Sequence, residues 1–331
     1  MNDRKIVVTG ATGFIGSNLL YELENRGYTN LVGIDWFGCG DKWKNVAKRV
    51  HTEFISPDNM WDFINEHLTD IDAIVHLGGI SCTTEKDADL VMKSNYRMTV
   101  DIFEFCQRNK IRSIYASSAA TYGNGENGFN DIDTYEQLGQ LRPMNIYGWS
   151  KNQTDLYIST HHGFAHSNTQ VVGLKFFNVY GPNEYHKSSQ RSIINTLYTQ
   201  MKQTGVMRLF ASSDEGIKDG EQLRDFIYID DCIDVIIWML EHSNISGLFN
   251  VGTGKAATFN EVARCVADSL NVDCKIEYFE IPNDIKEQYQ NYTCANIQKL
   301  RDAGYCHDMM SIDKGINNYV HEYLMKSDNY R

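Results

Sequence analysis

The stretch Gly10-Ala11-Thr12-Gly13-Phe14-Ile15-Gly16 follows an apolar, β-branched run, Lys5–Thr9, and opens an amphipathic stretch. In a strand–turn–helix unit, the first glycine permits the tight turn, the second lets backbone amides approach a diphosphate, and the third lets helix and strand pack closely. The positive end of the helix dipole then faces the anion. We therefore predict that Gly10, Gly13 and Gly16 form a dinucleotide-binding turn.

An acidic residue stands where the second strand of such a unit ends. Asp35 closes the run Leu31–Asp35, 19 residues after Gly16, where an acid can accept a hydrogen bond from a ribose hydroxyl. Three spaced glycines alone could be a simple turn with a close contact. Strand, glycines, helix, strand and acid follow in the required order here, which favours the dinucleotide site.

The first half of the chain alternates short β-branched runs with helical patterns. We predict strands at Lys5–Thr9, Leu31–Asp35, Ala73–Leu77, Ser113–Ser117 and Val171–Phe177. Helical periodicity occurs at Asn59–His67 and Leu90–Cys106. This alternation predicts an α/β fold of the Rossmann type, a doubly wound parallel sheet with helices on both faces.

The second half is less regular and predicts a smaller, mixed α/β lobe that binds substrate. Helices are expected at Asp230–Glu241 and Asn260–Leu270, and a strand at Leu248–Gly252. The glycines of Gly252-Thr253-Gly254-Lys255 read as a turn after that strand. The predicted division gives the dinucleotide-binding domain residues 1–177 and about 225–250, and gives the substrate-binding lobe residues about 178–224 and 251–331.

Composition excludes several classes of protein. The 331 residues suffice for about two domains, and a net charge of -12 argues against a nucleic-acid partner. No apolar run approaches the ~20 residues of a membrane span, and the N-terminal apolar run is too short for a signal peptide. The eight cysteines include no Cys-x-x-Cys pair, so no metal site is expected. We predict a cytoplasmic protein with reduced thiols and no membrane partner.

Tyr147 and Lys151 are four residues apart, which places them on one face of a helix. Oxidation of a secondary alcohol requires a base for the hydroxyl proton, and a neighbouring ammonium favours the tyrosinate that could accept it. Ser118 follows a strand and can hydrogen-bond the reacting hydroxyl, although it could also cap the strand end. This trio and the Gly-x-x-Gly-x-x-Gly spacing resemble the short-chain dehydrogenase/reductase superfamily.

The residues after Ser118 discriminate among activities of that superfamily. Its nucleotide-sugar dehydratases place an acid directly after the serine, whereas this chain has Ala119 and Ala120. Because no local general acid is available to expel water, dehydration is disfavoured. An epimerase or a reductase remains.

Further segments resemble the family of ADP-L-glycero-D-manno-heptose 6-epimerases. They are Ser81–Glu85, Ser117–Gly123, Phe177–Lys187, Arg224–Tyr228 and Tyr289-Gln290. The similarity runs from about Lys5 to Tyr305, and Thr83-Thr84-Glu85 and His186-Lys187 are its most specific parts. The resemblance implies NADP as cofactor, a nucleotide-sugar substrate whose heptose C6 is inverted through a ketone, and a homo-oligomer, with a pentamer among the forms it allows.

The same resemblance assigns roles to individual residues. It implies two acid–base groups, Tyr147 and Lys187, although Lys187 by itself reads as an exposed loop cation. Besides the glycines, implied cofactor contacts are Phe14, Ile15, Asp35, Trp36, Lys42, Leu77, Gly78, Gly79, Ile80, Ser81, Asn95, Tyr147, Lys151, Val179 and Lys187. Implied substrate contacts are Ser118, Asn178, Ser189, Phe210, Ala211, Ser212, Ser213, Arg224 and Tyr289.

The residues leave the choice of cofactor and the role of Arg224 open. Asp35 would repel the 2′-phosphate of NADP, whereas Lys42 could reach it, so these residues allow either cofactor. NADP is the cofactor that the resemblance implies, and NAD is the alternative. The cations that follow, Lys42 to Arg49, could equally form a solvated basic face. Arg224 suits a substrate diphosphate but could instead form a surface ion pair with Asp225 or Asp230.

The identity of the substrate is also open. The stretch Ser188–Arg191 and the residue Thr196 depart from the family pattern, and the loop Asp214–Gln222 is longer than in some members. An epimerase or reductase for another nucleotide-activated sugar is therefore the alternative. A non-catalytic dinucleotide sensor on the same fold is a third hypothesis, but such proteins typically lack the pair formed here by Tyr147 and Lys151.

Overall fold

The computed structural model describes residues 4–161, 163, 164, 167, 169–286 and 289–331. Its strands are β1 Lys5–Thr9, β2 Leu31–Ile34, β3 Thr52–Ile55, β4 Ile71–His76, β5 Arg112–Ser118, β6 Val171–Phe176, β7 Asn178–Tyr180, β8 Met207–Phe210, β9 Leu223–Arg224, β10 Phe226–Tyr228, β11 Gly247–Val251, β12 Ala257–Thr258 and β13 Ile276–Phe279.

The α-helices are α1 Phe14–Asn25, α2 Met60–Glu66, α3 Ala88–Val91, α4 Met98–Asn109, α5 Tyr135–Leu138, α6 Ile146–His161, α7 Ile193–Thr204, α8 Ile229–Glu241, α9 Phe259–Leu270, α10 Asn283–Lys286, α11 Gln298–Asp302 and α12 Ile312–Tyr319. Short 3-10 helices span Asp41–Val46, Pro57–Asn59, Ala119–Tyr122 and Tyr185–Gln190. Single π-helical segments span Met92–Arg97 and Val320–Leu324.

Seven strands form one parallel sheet in the order β11-β6-β5-β4-β1-β2-β3. Successive residues of β1 serve opposite faces, because side chains alternate along a strand. Ile6 and Val8 join a core that includes α1 and α8, and Val7 joins a core that includes α2 and α4. Helices therefore cover both faces, and the predicted doubly wound Rossmann architecture is confirmed.

The sheet reverses its order between β1 and β4. From β1 the chain proceeds outward to β2 and β3, and from β4 it proceeds the other way to β5 and β6. In open parallel sheets the crevice at the carboxyl ends of such strands is where ligands bind. The glycine turn follows β1, and the loop 77–81 follows β4 at the same edge.

The smaller region is built from three two-stranded sheets, β7–β10, β9–β12 and β8–β13. Its helices α7, α9 and α12 contact one another, and the buried residues Ile194, Val262 and Ile316 belong to the same core as the α1 face of the large sheet. The small mixed region beside the sheet is thus present. The residue-by-residue division into domain and lobe stays a prediction.

Several boundaries differ from those predicted. Strand β3 was not predicted, because Thr52–Ile55 is a partly exposed edge strand without a continuous apolar run. Ser118 is consequently the last residue of the fifth strand and does not follow a fourth one. The helix predicted at Leu90–Cys106 runs from Ala88 to Asn109 and contains a π-helical segment. The turn predicted after β11 is present, with Asp225 accepting hydrogen bonds from Thr253 and Gly254.

All eight cysteines are free thiols. Across the described ranges, no helix is both long enough and apolar enough to cross a bilayer. Within the same ranges, no three His, Cys, Asp or Glu side chains form a group that could hold a metal ion.

Candidate active site

The glycine turn is shaped by contacts that leave no room for side chains. Gly10 has a φ of 66°, and a Cβ there would lie 2.7 Å from the Gly78 nitrogen. A Cβ on Gly16 would collide with the Gly10 carbonyl oxygen. By contrast, a Cβ on Gly13 would meet only the Gly10 oxygen, at 3.1 Å. The turn therefore leaves space beside Gly13 at the start of α1, where backbone amides without a side-chain cap can receive a diphosphate.

Asp35 lies directly after β2 at the far end of this crevice. Its Oδ2 accepts hydrogen bonds from the Thr12 amide at 3.0 Å, the Thr12 hydroxyl at 2.6 Å and Lys42 Nζ at 3.0 Å. Lys42 also donates to the Trp36 carbonyl at 2.9 Å, and the Trp36 ring is 60% exposed. The acid and the cation expected at the adenosine ribose thus lie side by side, with an exposed indole next to them.

The other cations of this segment are also paired. The ion pairs are Lys44–Asp41, Lys48–Asp328 and Arg49–Glu24. Each of these cations thus faces a carboxylate. The Lys44 and Lys48 side chains are nevertheless 39% and 46% exposed, so the alternative of a solvated basic face stays open for them.

A cavity of about 370 Å³ opens between the carboxyl ends of β4, β5 and β6, α1, and the segment after β7. Among the residues with a predicted role, it is lined by Phe14, Ile15, Leu77, Gly79, Ile80, Ser81, Ser118, Tyr147, Lys151, Asn178, Val179 and Lys187. The structure therefore brings the four candidate catalytic side chains into one cavity next to the dinucleotide crevice.

Tyr147 and Lys151 occupy consecutive turns of α6. Lys151 is 5% exposed and donates to the Ala116 carbonyl at 2.8 Å. Burial lowers the pKa of Lys151 to about 8, against the opposing effect of Asp155. Burial also raises the pKa of Tyr147, and a hydrogen bond with Ser118 opposes that rise. Ser118 thus favours the phenolate that a proton-abstracting Tyr147 needs.

Lys187 reaches the same cavity from the 3-10 helix Tyr185–Gln190. Its Nζ lies 5.4 Å from the centroid of the Phe14 ring on α1, so the side chain points towards the first helix. Burial lowers the pKa of Lys187, and Glu184 acts in the opposite direction. Lys187 is therefore a partly buried cavity residue, and its interpretation as an exposed loop cation is wrong.

Asn183, just before this loop, ties it to the dinucleotide-binding side. Its φ is 72° and its side chain is fully buried. The amide donates to Ser17 Oγ at 3.1 Å and to the Asn45 carbonyl at 3.3 Å, and its oxygen accepts from the Arg331 amide at 3.1 Å. Since Ser17 lies in the first helix, the loop that carries Lys187 and the glycine turn share one anchor.

A second cavity, of about 270 Å³, continues the cleft. Gln190 borders both cavities, and Arg224 and Tyr289 line the second one. The Arg224 guanidinium lies 5.2 Å from the Tyr289 ring centroid and donates to the carbonyls of Leu223 and Gln290. A cation and an aromatic ring thus face a space next to the catalytic side chains.

The alternative of a surface ion pair for Arg224 is wrong. The side chain is buried, whereas Asp225 accepts hydrogen bonds from Thr253, Gly254 and Ala295. The Asp230 carboxylate pairs with Arg331.

Some residues with a predicted role lie outside the two cavities. Ser189 is exposed on the loop that carries Lys187, and Ala211–Ser213 follow β8 in an outer loop. Phe210 packs edge-on against Tyr289, with ring centroids 5.6 Å apart. Asn95 is fully buried, and its side chain accepts from and donates to the Ile80 backbone, at 2.8 and 2.9 Å. Asn95 thus shapes the loop after β4 from behind.

Sequence reasoning missed a buried ion pair beneath the catalytic strand. Lys175 and Asp155 are both inaccessible to solvent and 2.7 Å apart. Asp155 also accepts hydrogen bonds from Tyr115 and Ser117 on β5, at 2.8 and 2.7 Å. The pair therefore joins α6, β5 and β6 below Ser118. Asp155 lies four residues after Lys151 and so shares its helix face. That spacing could have predicted that Asp155 points towards the sheet, where a buried carboxylate needs a cation.

Four more residues line the cavity from the segment around Lys187, namely Glu184, Gln190, Arg191 and Ser192. Gln190 and Arg191 belong to the stretch Ser188–Arg191, whose departure from the family pattern already bore on the substrate. No role was predicted for Glu184 and Ser192, because their proximity depends on how the loop Tyr185–Gln190 turns back to α7.

Comparison with known proteins agrees with this geometry. A family model described as "NAD dependent epimerase/dehydratase family" matches residues 6–252. The chain is 42% identical to the ADP-L-glycero-D-manno-heptose-6-epimerase of Fusobacterium nucleatum, covering 98% of this chain and 99% of the relative. It is also 42% identical to the enzyme of that name from Nitratidesulfovibrio vulgaris, covering 97% and 98%.

Solved structures give the same result. The ADP-L-glycero-D-manno-heptose-6-epimerase of Helicobacter pylori superimposes with a TM-score of 0.80 at 30% identity, covering 97% of this chain and 96% of that one. A UDP-glucuronic acid 4-epimerase from Bacillus cereus, in complex with UDP-glucuronic acid and NAD, superimposes with a TM-score of 0.73 at 26% identity. This match covers 96% of this chain and 99% of that one. The family and its NAD-bound members support a nicotinamide dinucleotide cofactor. The chain belongs to the NAD dependent epimerase/dehydratase family and, within it, to the ADP-L-glycero-D-manno-heptose 6-epimerases.

Proposed function

We propose that this chain is an NADP-dependent enzyme that inverts C6 of the heptose of ADP-D-glycero-D-manno-heptose. A hydride leaves C6, a ketone forms, and the hydride returns to the opposite face. The observation that carries the proposal is that Tyr147 and Lys187 open into one cavity from different elements. Inversion at one carbon requires proton transfer in two orientations of the sugar, and two separate groups can serve them.

The residues of the crevice fit the cofactor. The turn with Gly10, Gly13 and Gly16 leaves the space a diphosphate needs. Lys151, which lines the adjoining cavity, would hold the ribose next to the nicotinamide. Asp35 and Lys42 would hold the adenosine ribose, and the cation favours a 2′-phosphate. When bound, the nicotinamide ring supplies the hydride acceptor and donor.

On the side of α6, three residues handle the proton. The Tyr147 phenolate accepts the proton of the C6 hydroxyl as that carbon is oxidised. Lys151 stabilises the phenolate by its charge, and Ser118 orients the hydroxyl from the end of β5.

On the opposite side, Lys187 serves the other orientation. After the ketone turns over within the cavity, the ammonium donates a proton to its oxygen as C6 is reduced. The roles can also be exchanged, with Lys187 accepting the hydroxyl proton and Tyr147 donating one to the ketone. Each group can give or take one proton, so the reaction can run in both directions. Both groups must therefore border the same space, as they do here.

The second cavity suits the nucleotide part of the substrate. Arg224 is a buried cation that can form two parallel hydrogen bonds with a diphosphate. Tyr289 adds an aromatic wall next to it, and Phe210 packs edge-on against that tyrosine. Because Gln190 lines both cavities, they lie side by side, and one ligand could extend from one to the other.

An epimerase or reductase for another nucleotide-activated sugar is the second candidate. The observation that favours it is that Arg191, in the stretch that departs from the family pattern, borders the sugar cavity. The cytoplasmic location and the homo-oligomer stay predictions.

One experiment separates the candidates. The purified protein is incubated with ADP-D-glycero-D-manno-heptose, and the configuration at C6 is followed by proton NMR. Inversion at C6 is expected, and the nucleotide that co-purifies, once released and identified, is expected to be NADP. Absence of inversion together with turnover of another sugar nucleotide would reject the heptose substrate.

A further inference from the structure

Glu184 is the acidic side chain among the described residues that line the cavity of Tyr147 and Lys187. It is 1% exposed and lies three residues before Lys187. We propose that Glu184 is a positioning residue for Lys187, because its carboxylate fastens both ends of the loop that carries the lysine and sets a negative charge at the cavity wall. This inference rests on the proposed function, in which Lys187 transfers a proton.

The contacts of Glu184 close the loop. Its carboxylate accepts hydrogen bonds from the amide and the hydroxyl of Ser192, the latter at 2.7 Å, and from the hydroxyl of Tyr319. Its carbonyl accepts from the Lys187 amide at 3.0 Å. Ser192 is the N-cap of α7, so one side chain connects the start of the loop to the helix that follows it.

The loop needs such a clamp, because its own backbone is strained. Ser188, next to Lys187, has a φ of 49°, in the left-handed region that non-glycine residues rarely adopt. Such conformations persist where the surrounding structure imposes them. Ser188 lies between Glu184 and Ser192 in the chain, so the hydrogen bonds between those two residues hold its backbone in place. They thereby fix the direction of the neighbouring Lys187 side chain.

The charges around Lys187 leave Glu184 as its anionic neighbour. The other ionisable side chains that line the cavity with it are Tyr147 and Lys151 on α6 and Arg191 on the same loop, and none of them is a carboxylate. The preceding residue, His186, hydrogen-bonds Asn45, and burial together with the charges of Lys187 and Lys42 lowers its pKa, so it adds no negative charge beside Lys187.

Opposing effects set the charges of the pair itself. Burial lowers the pKa of Lys187, and Glu184 counteracts that effect. Burial raises the pKa of Glu184, and its bonds from Ser192 together with the charge of Lys187 counteract that rise. Each charge therefore supports the other.

The test is the variant Glu184→Gln, which keeps the shape and removes the charge. The pH dependence of Lys187 acetylation by acetic anhydride is measured by peptide mass spectrometry on the cofactor-loaded protein. Because the variant loses the anion, we expect the labelling midpoint to move to lower pH by about half a unit or more. We also expect kcat to fall about tenfold, with KM changed by less than about threefold.

Ser192→Ala is the matched control, since it loosens the clamp and retains the charge. It should lower kcat while leaving the labelling midpoint in place. If Glu184→Gln leaves the midpoint unchanged, Glu184 is only a structural anchor and the inference is overturned.

If Glu184→Gln does not fold, Glu184→Asp decides the matter. Its shorter charged side chain cannot reach both groups of Ser192, so kcat should fall while the labelling midpoint stays in place. An unchanged kcat, or a moved midpoint, would overturn the inference. Because labelling needs no turnover, a protein that fails to invert the heptose still reports on Glu184, and the two failures are distinguishable.

Discussion

The two walls of the cavity that holds Tyr147 and Lys187 are built in different ways. The wall with Ser118, Tyr147 and Lys151 comes from β5 and α6, elements held by the seven-stranded sheet and its helices. The wall with Lys187 comes from a six-residue 3-10 segment held by side-chain hydrogen bonds to distant parts of the chain. One of the two proposed acid–base groups, Tyr147, thus depends on regular secondary structure, and the other, Lys187, depends on a few polar side-chain contacts.

We call the wall built from β5 and α6 the regular wall and the wall that carries Lys187 the loop wall. The largest effect is expected when the phenol of Tyr147 is removed from the regular wall. In the proposed function, Tyr147→Phe eliminates a general base without altering the helix, so kcat should fall by about 10³ to 10⁴. The C6 inversion assay measures the loss, with the exposed Tyr135→Phe as control. A protein that only senses dinucleotide would lose nothing.

On the loop wall, Lys187→Ala should cost about 10² to 10³ in kcat, since a second proton-transfer group is lost. Dinucleotide affinity, measured by fluorescence titration, should change little, because the glycine turn is untouched. Lys202→Ala, an exposed lysine on α7, is the control. Unchanged turnover would remove the two-group mechanism.

The regular wall can also be tested through stability. Asp155→Asn removes the charge that faces Lys175, and an uncompensated buried cation should destabilise the fold by about 3 to 5 kcal/mol. Urea unfolding measures the change. The double variant Asp155→Asn with Lys175→Met should regain a large part of the loss, because no buried charge is then left alone. A loss below about 1 kcal/mol would show that the pair is poorly coupled to the fold.

The second cavity, which the loop wall borders through Gln190, can be tested at Arg224. Arg224→Ala should raise KM for the nucleotide sugar about 30-fold, equivalent to about 2 kcal/mol, while kcat changes less than about threefold. The reason is that a diphosphate contact far from C6 stabilises ground state and transition state alike. Arg208→Ala, at an exposed arginine on β8, serves as control. A constant KM would refute the contact.

The smallest effect is expected at the adenosine end. Lys42→Ala should narrow the preference for NADP over NAD by about fivefold, roughly 1 kcal/mol, because a partly exposed cation contributes modestly. The ratio of the two dissociation constants measures it, with Lys44→Ala as control. An unchanged ratio would show that Lys42 forms its ion pair with Asp35 and does not contact the 2′-phosphate.

The sheet, the glycine turn and the position of Asp35 were predictable, because they rest on local patterns. Apolar alternation indicates strands, and glycine spacing indicates a turn whose geometry needs glycine. The pair Tyr147 and Lys151 was readable for the same reason, since helical spacing fixes which residues share a face. Even so, the edge strand β3 was missed, because it buries little and lacks an apolar run.

The loop wall was not predictable from local patterns. Glu184 and Ser192 are eight residues apart, and nothing in their spacing indicates that they bond to each other. The buried state of Arg224 and the shared anchor at Asn183 depend on contacts with residues more than 60 positions away. A resemblance to known proteins could point to Lys187, but the contacts that hold it required coordinates.

The anchor at Asn183 has a consequence for protein engineering. Since its amide joins the substrate loop to Ser17 and Asn45, a loop transplant that began at this asparagine would disturb the cofactor crevice as well. A graft confined to Ser188–Gln190 would spare that junction, the contact of His186 with Asn45, and Lys187. Redesign of the sugar preference is therefore modular only within this short window, and donor loops of other lengths would have to meet the same two end points.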